Sequence, residues 1–263
     1  MTIHPTAIVD PRAEIAEDVE IGAYVIIEGP VRIGRGCIIR PRAHLIGPLT
    51  LGEGNQVFSN AVLGERPQHV KYRDEPTGVE IGQRNVFREN VTVHRGTAAS
   101  FTTRIGDDNY FMVGSHVAHD CVVGNRCIFA NGAALAGHCH VGDGVFLSGN
   151  AVVHQFCRLG RLSMLSGTSA TSKDVPPFII QQDINQVVGI NVVGMRRAGL
   201  SAEQIHAIRQ VFHIVYLQGL SLPNALAQVE KELGHVDVVR EFVEFVRASQ
   251  RGINSTRVKR EAA

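Results

Sequence analysis

A chain of 263 residues is long enough for one large domain and a smaller appendage. With 44% apolar residues, 19% charged residues and a formal charge of +1, it fits neither a disordered chain nor a broad nucleic-acid-binding surface. Its oddities are 27 glycines, no tryptophan and only 6% aromatics, which point to a thin, regularly layered core of Ile, Val and Leu.

The opening Met1-Thr2-Ile3-His4-Pro5 has no basic run followed by an apolar stretch, so no secretory signal is expected, and no stretch approaches transmembrane length. Cys37, Cys121, Cys127, Cys139 and Cys157 include no C-x-x-C pair. An odd number of cysteines without a signal favours free thiols in a reducing cytoplasm over a disulfide framework.

From Ile3 onward every sixth residue is apolar: Ile3, Val9, Ile15, Ile21, Ile27, Ile33, Ile39, Leu45, Leu51, Val57 and Leu63. The series resumes at Ile81, Phe87 and Val93, then runs from Ile105 through Phe111, Val117, Val123, Phe129, Leu135, Val141, Leu147, Val153 and Leu159 to Leu165. A period of six belongs to neither an α-helix nor an alternating strand. It fits a coil of triangular cross-section with one inward apolar side chain per side and eighteen residues per turn. Successive coils would stack at the usual strand spacing of ~4.8 Å. The glycine that often follows the apolar position, as in Ile21-Gly22 and Val123-Gly124, suits a corner needing unusual dihedrals. A β-sandwich would instead show period two, with turn signals every ~8–12 residues. The pattern resembles the hexapeptide-repeat proteins, whose fold is the left-handed parallel β-helix; the handedness is implied by that resemblance alone.

The ladder is interrupted at residues 64–78 and 95–104, and loops expelled from a rigid solenoid are where recognition usually sits. The repeat stops near Thr171, with Val175-Pro176-Pro177 at the exit. After Gly199 the pattern turns helical. Ser201-Ala202-Glu203-Gln204 reads as a capping box ahead of Ile205, Ile208, Phe212, Val215 and Tyr216 on one face. Leu222-Pro223 opens a second helix, and His235-Val236 leads into a third with Val238, Val239, Phe242, Phe245 and Val246 as its stripe. The expected division is a mainly β domain, 1–190, carrying both expelled loops, and a C-terminal α-helical domain, 191–263, with only five of the glycines.

Histidines gather in mid-solenoid, in Ser115-His116-Val117-Ala118-His119-Asp120-Cys121, Ala136-Gly137-His138-Cys139-His140 and Val153-His154-Gln155-Phe156. An eighteen-residue coil places Gly137 under His119, Gln155 two coils under it, and His138 under Asp120, with His154 beside the column. Imidazole suits proton abstraction from a hydroxyl at neutral pH, and the adjacent carboxylate could orient it. A glycine one coil away leaves a backbone N–H open to an oxyanion. The bland reading is a set of exposed polar positions. Zinc ligation is the other rival; the three-residue spacing of His116 and His119 and the lack of finger-spaced cysteines argue against a metal.

Beyond the repeat, the chain resembles one family, the UDP-N-acetylglucosamine O-acyltransferases that begin lipid A synthesis. The resemblance covers nearly the whole chain. It is carried by Pro67-Gln68-His69-Val70-Lys71-Tyr72 with Glu75-Pro76-Thr77, Val93-His94-Arg95-Gly96-Thr97, the three histidine segments and Asp174-Val175-Pro176-Pro177. It implies transfer of a 3-hydroxyacyl chain from the phosphopantetheine of acyl carrier protein to the 3-hydroxyl of UDP-N-acetylglucosamine, without an acyl-enzyme and without a cofactor of the enzyme's own. It implies His119 as general base supported by Asp120, and Gly137 as oxyanion donor. Around the substrates it implies Gln68, Lys71, His94, His116, His138, His154, Gln155, Asn191 and Arg197. Homotrimers with active sites between subunits are implied as well.

The columns of the coil stack Asn131, Gly149 and Gly167, a groove of small side chains in which an acyl tail could lie. In the resembling family a glycine at this point leaves the groove open and a bulky residue closes it; Met164 is flexible enough to adapt to the tail's end. From Asn191 onward ten Lys/Arg face seven Asp/Glu, whereas the rest of the chain has sixteen against eighteen. An acidic carrier protein is therefore expected on a basic rim of Arg158, Arg161, Arg196 and Arg197. The chain departs from the family pattern at His69, where aspartate is usual, at Val193, where glutamate is common, and at Ala198, where a basic residue is common. An amino-sugar nucleotide acceptor, a coenzyme A thioester donor and a non-enzymatic scaffold are the competing readings.

Overall fold

The computed structural model describes residues 1–256, in which 28 short strands are followed by four helices. Except for one antiparallel pair at the C-terminal end of the first face, the strands pair in parallel with strands one coil away, on three faces of eleven, nine and eight strands. The period sets the register: His116 pairs with Ala134 and Ala134 with Val152, eighteen residues on each time. Where a loop is expelled the step lengthens, Val62 pairing with Thr92 and Thr92 with His116. The loops are shorter than the gaps in the pattern, spanning 66–77 and 95–101, because Glu65, Gly78 and Thr102 are strand residues.

From Ile21 to Leu165 every hexad residue is buried. Phe87, Phe111 and Phe129 stack in one column, with ring centroids 4.9 and 4.7 Å apart. A second inward ladder lies two residues before the first and is built of smaller side chains such as Val19, Ala61, Asn85 and Ala133. All five cysteines belong to it, free and fully buried. Burial raises the thiol pKa of Cys37, Cys127 and Cys157, so these sulfurs pack as small hydrophobes.

Gly64 apart (φ 94°), the glycines that directly follow the hexad residue do not supply the unusual dihedrals expected of them. The left-handed backbone lies two residues further on, at Asp120 (φ 61°), Arg126 (φ 55°), His138 (φ 61°) and Phe156 (φ 66°). The glycines answer a different demand, close approach between coils. A Cβ on Gly52 would stand 2.5 Å from the Gly82 carbonyl oxygen, and one on Gly106 2.8 Å from that of Gly124.

Past Thr171 the chain departs from the repeat. Ile179–Gln182 adds in parallel to Met164–Leu165, then turns back into an antiparallel partner, Gln186–Ile190. The six-residue pattern foresees neither strand. A short helix, α1 (Val192–Arg197), precedes Gly199, where helix was expected to begin; Asn191 caps it. Helix α2 (Ala202–Tyr216) carries the Ser201/Gln204 capping box in full, and α3 (Leu222–Leu233) and α4 (Asp237–Arg247) follow. Their buried side chains, among them Ile208, Val229 and Phe242, join the apolar cluster that runs along the β-helix. Residues 257–263 of the expected helical domain lie outside the described residues. No helix among the described residues is long and apolar enough to cross a membrane.

Candidate active site

At the corner between the second and third faces, three coils set Ala118-His119-Asp120-Cys121, Ala136-Gly137-His138-Cys139 and His154-Gln155-Phe156-Cys157 in vertical register. The cysteines face inward; the rows before them form the site. His119 is buried, with Nδ1 2.7 Å from Asp120 Oδ2. The Asp120 carboxylate also accepts from the backbone N–H of Thr97 (2.9 Å), the Thr97 hydroxyl (2.7 Å) and the Ser100 hydroxyl. The N–H of Asp120 donates to Thr103 Oγ1 at 2.9 Å. Burial pushes this carboxyl up, but the hydrogen bonds from Ser100, Thr97 and His119 prevail and hold it well below the usual carboxylate range. An ionised Asp120 places the ring hydrogen on Nδ1 of His119 and leaves Nε2 its lone pair. The ring lies over Gly137, where a Cβ would stand 2.8 Å from Nε2. The Gly137 N–H has no hydrogen-bond partner among the described residues.

His138 brings Nε2 to 3.5 Å from Asp120 Oδ2, stands edge-on to His119 at 5.1 Å and stacks flat on Phe156 at 4.5 Å. Burial lowers its pKa. His116, on the second face, has Nδ1 2.7 Å from Thr92 Oγ1. His94 is buried behind it, rings 4.8 Å apart and edge-on, with its own Nδ1 unpartnered among the described residues. Burial, reinforced by His116, lowers His94 to about 4, and burial lowers His116 as well. Both shifts favour the uncharged ring; His116 is held by its contact to Thr92, and His94 packs edge-on behind it.

The first loop closes over this corner. His69 stands edge-on to His119 at 5.4 Å. Gln68, His116, His119, Gly137 and Gln155 line an open cleft of about 370 Å³ on the second face. A cleft of similar size, about 350 Å³, lies on the third face around Arg12, Arg32 and Glu80 and gathers no such grouping. Lys71 and His154 are exposed, the first on the loop and the second on the corner.

Asn191 and Arg197 lie elsewhere. Asn191 is buried at the corner between the third and first faces, its Oδ1 accepting from the Gly194 N–H and its Nδ2 donating to the Leu162 carbonyl, so its amide is committed to capping α1. Arg197, Val193 and Ala198 are exposed on or just after that helix. The Asn131, Gly149 and Gly167 column occupies the corner between the first and second faces, on the opposite edge of the second face from His119, with Met164 on the first face beside it. A Cβ on Gly167 would meet nothing nearer than the Gly149 carbonyl oxygen at 3.5 Å, so this edge is open. Two of the four rim arginines are engaged: Arg158 lies over the Phe245 ring at 4.3 Å, and Arg161 forks onto Glu241 with Nη2 at 2.7 Å. Arg196 and Arg197 are exposed.

Thr97, Ser100 and Thr103, which hold Asp120, and His69 and Phe156, which touch the two central imidazoles, were not singled out from sequence as site residues. Phe156 lies one coil of eighteen residues from His138, so the period reports that contact. Thr97, Ser100, Thr103 and His69 sit in or beside the expelled loops, whose contacts no period reports. His119, Asp120 and His138 bring ligand atoms within 4.8 Å of one another. A cation there would have to displace hydrogens already directed at Asp120, so the group is better matched to moving a proton.

A parallel coil of hexads that holds an imidazole–carboxylate pair over a glycine N–H places the chain among the hexapeptide-repeat acyltransferases. The profile described as "Bacterial transferase hexapeptide (six repeats)" matches residues 102–137, and that described as "Udp N-acetylglucosamine O-acyltransferase; Domain 2" matches residues 174–254. A protein of Anaeromyxobacter sp. (strain Fw109-5) named acyl-[acyl-carrier-protein]--UDP-N-acetylglucosamine O-acyltransferase is 49% identical over 255 residues, 96% of this chain and 99% of that one. The solved UDP-N-acetylglucosamine acyltransferase of Francisella novicida superposes with a TM-score of 0.94 at 32% identity, covering 98% of this chain and 95% of that one. That of Bacteroides fragilis gives 0.92 at 40% identity, covering 96% and 99%. The chain belongs to the UDP-N-acetylglucosamine O-acyltransferase family.

Proposed function

We infer that this acyltransferase moves a 3-hydroxyacyl group from acyl carrier protein to the 3-hydroxyl of UDP-N-acetylglucosamine, the step that opens lipid A synthesis. The observation that carries the reading is His119 seated over Gly137 with Nδ1 tied to an ionised Asp120. Nε2 takes the proton of the sugar hydroxyl as its oxygen attacks the thioester carbonyl. Asp120 stabilises the resulting imidazolium, and the unpartnered Gly137 N–H receives the oxyanion. Collapse expels the phosphopantetheine thiolate, which recovers the proton from His119. No acyl-enzyme and no cofactor of the enzyme's own is needed. Gln68, His116, His138, His154 and Gln155 are placed to bind the acceptor around this centre.

The outer faces favour a homotrimer. The first presents Ile38, Val86, Ile128, Phe146 and Met164, and the second Ile26, Val62 and Val152. The third carries the ion pairs Arg32–Glu14 and Arg104–Glu80. An uncovered apolar parallel sheet calls for a partner, and a neighbour's first face laid on the second would wall the cleft. The acyl tail would then lie between subunits. Five free, buried thiols suit a cytoplasmic setting.

Incubation with labelled UDP-N-acetylglucosamine and either 3-hydroxyacyl carrier protein or the same chain on coenzyme A tests the donor and acceptor together. Product from the carrier substrate is expected, and equal or better turnover with coenzyme A would overturn the reading. His119→Ala should lower kcat by ~10²–10⁴-fold while the enzyme still sediments as a trimer; an active monomer would refute the shared site.

A further inference from the structure

After α4 the chain returns to the histidine corner. Asp174 and Ile253 form a parallel bridge, with the Asp174 N–H donating to the Gly252 carbonyl at 3.0 Å and the Asn254 N–H to that of Asp174 at 3.1 Å. Continued by two residues, this register sets Arg251 beside Ser172, since 253 − 174 and 251 − 172 are both 79. Ser172 in turn lies one coil past His154, because Val153 pairs with Thr171. The tail thus adds a rung to the β-helix, and Arg251 closes the column of Ala118, Ala136, His154 and Ser172.

Arg251 Nε donates to the Ser172 carbonyl at 3.0 Å, and Nη2 reaches past the small serine to His154 Nδ1 at 3.5 Å. That ring nitrogen has a rival partner, the carbonyl of Gln155 at 3.2 Å. The two partners demand opposite tautomers. A guanidinium only donates, so it requires a lone pair on Nδ1 and puts the hydrogen on Nε2. The Gln155 carbonyl requires the hydrogen on Nδ1 and leaves Nε2 bare.

We propose that Arg251 is a positioning residue for the acceptor: it holds the His154 Nδ1 lone pair and so presents Nε2–H as a donor to an oxygen of the nucleotide sugar, a phosphate or a carbonyl. The proposal rests on the reading of this corner as a nucleotide-sugar site. Phosphate and carbonyl oxygens accept hydrogen bonds, and a bare Nε2 would meet them lone pair to lone pair. The arginine also brings positive charge to the foot of the column, the sign that a diphosphate requires.

The test has a readout that needs no substrate. Nitrogen-15 spectra of histidine-labelled enzyme, with the His154 signal assigned by its loss in His154→Gln, should show the Nε2–H form in wild type and the Nδ1–H form in Arg251→Met. In steady-state kinetics Arg251→Met should raise the KM for UDP-N-acetylglucosamine on the order of tenfold with kcat within about twofold. Arg251→Lys, which keeps a donor, should recover most of the loss. The Asp174–Ile253 bridge and the Ser249 hydroxyl on Asp174 at 2.7 Å keep the tail tethered, so the variants should melt close to wild type. An unchanged His154 tautomer in Arg251→Met, or an unchanged acceptor KM, overturns the proposal. A tautomer switch in an enzyme that does not use UDP-N-acetylglucosamine supports the coupling of Arg251 to His154 and overturns the acceptor assignment instead.

Discussion

Replacement of Gly137 by alanine probes the reacting centre with a single methyl group. Gly137 lies outside the left-handed region, so alanine adds no backbone strain there. Its Cβ would stand 2.5 Å from Cε1 of His119, 2.8 Å from Nε2 and 3.1 Å from Nδ1. Non-bonded carbons settle at ~3.5–4.0 Å, so the imidazole must retreat by about 1 Å. The 2.7 Å contact from Nδ1 to Asp120 cannot follow, because Thr97 and Ser100 hold that carboxylate in place. A displacement of this size costs about 10²-fold in rate, and loss of the fixed tautomer adds to it, so kcat should fall by ~10²–10³-fold. The stability cost should be about 1–2 kcal/mol, one strained rotamer and one weakened hydrogen bond. Gly189→Ala is the matched control, since its Cβ would meet nothing within 4 Å and its backbone lies outside the left-handed region; it should leave kcat within about twofold. Steady-state assays with a thermal melt on each variant decide the matter. A folded Gly137→Ala enzyme with kcat within about threefold of wild type would show that His119 does not work from the position it occupies.

Gly167→Met should shift the enzyme towards shorter donors while sparing its activity on them, at ~0.8 kcal/mol, about fourfold, for each methylene displaced from the groove; identical ranking of an acyl-length ladder by wild type and variant would place the groove elsewhere. His94, held at about 4 against an ordinary 6.5, makes the fold acid-sensitive. Below pH 6.5 the unfolded chain binds a proton that the folded chain refuses, so this stability is complete above that pH and is lost as pH falls towards 4. Between pH 7 and 5 the loss should be roughly 2 kcal/mol, and urea titrations should find it reduced in His94→Asn; an equal decline in both proteins would refute the assignment. The KM for the carrier substrate should rise with ionic strength, and Arg196→Ala with Arg197→Ala should flatten that slope; a wild-type KM indifferent to salt would remove the basic rim as a docking surface.

Periodicity is legible because stacking gives a position the same surroundings in every coil. Ile15, Ile33 and Leu51 are pointed inward by one geometry, and the same eighteen-residue arithmetic sets Gly137 under His119 and His138 under Asp120. Helix α2 was equally readable, since Ser201 and Gln204 satisfy each other within a single turn. The corner glycines show where such reading fails: one residue type serves both unusual dihedrals and close approach, and only the packed coils reveal that Gly52 and Gly106 serve the second. The inner ladder of Val19, Cys37, Asn85 and Ala133 escaped notice because its members share size and not hydrophobicity. Contacts made by aperiodic segments were left to the tertiary structure altogether. Thr97 and Ser100 reach Asp120 from an expelled loop, Asn191 spends its amide on a helix end, and Arg251 meets His154 only because the chain folds back after α4. No spacing in the sequence encodes such meetings; they follow from where the solenoid ends and which side chains are long enough to cross the gap.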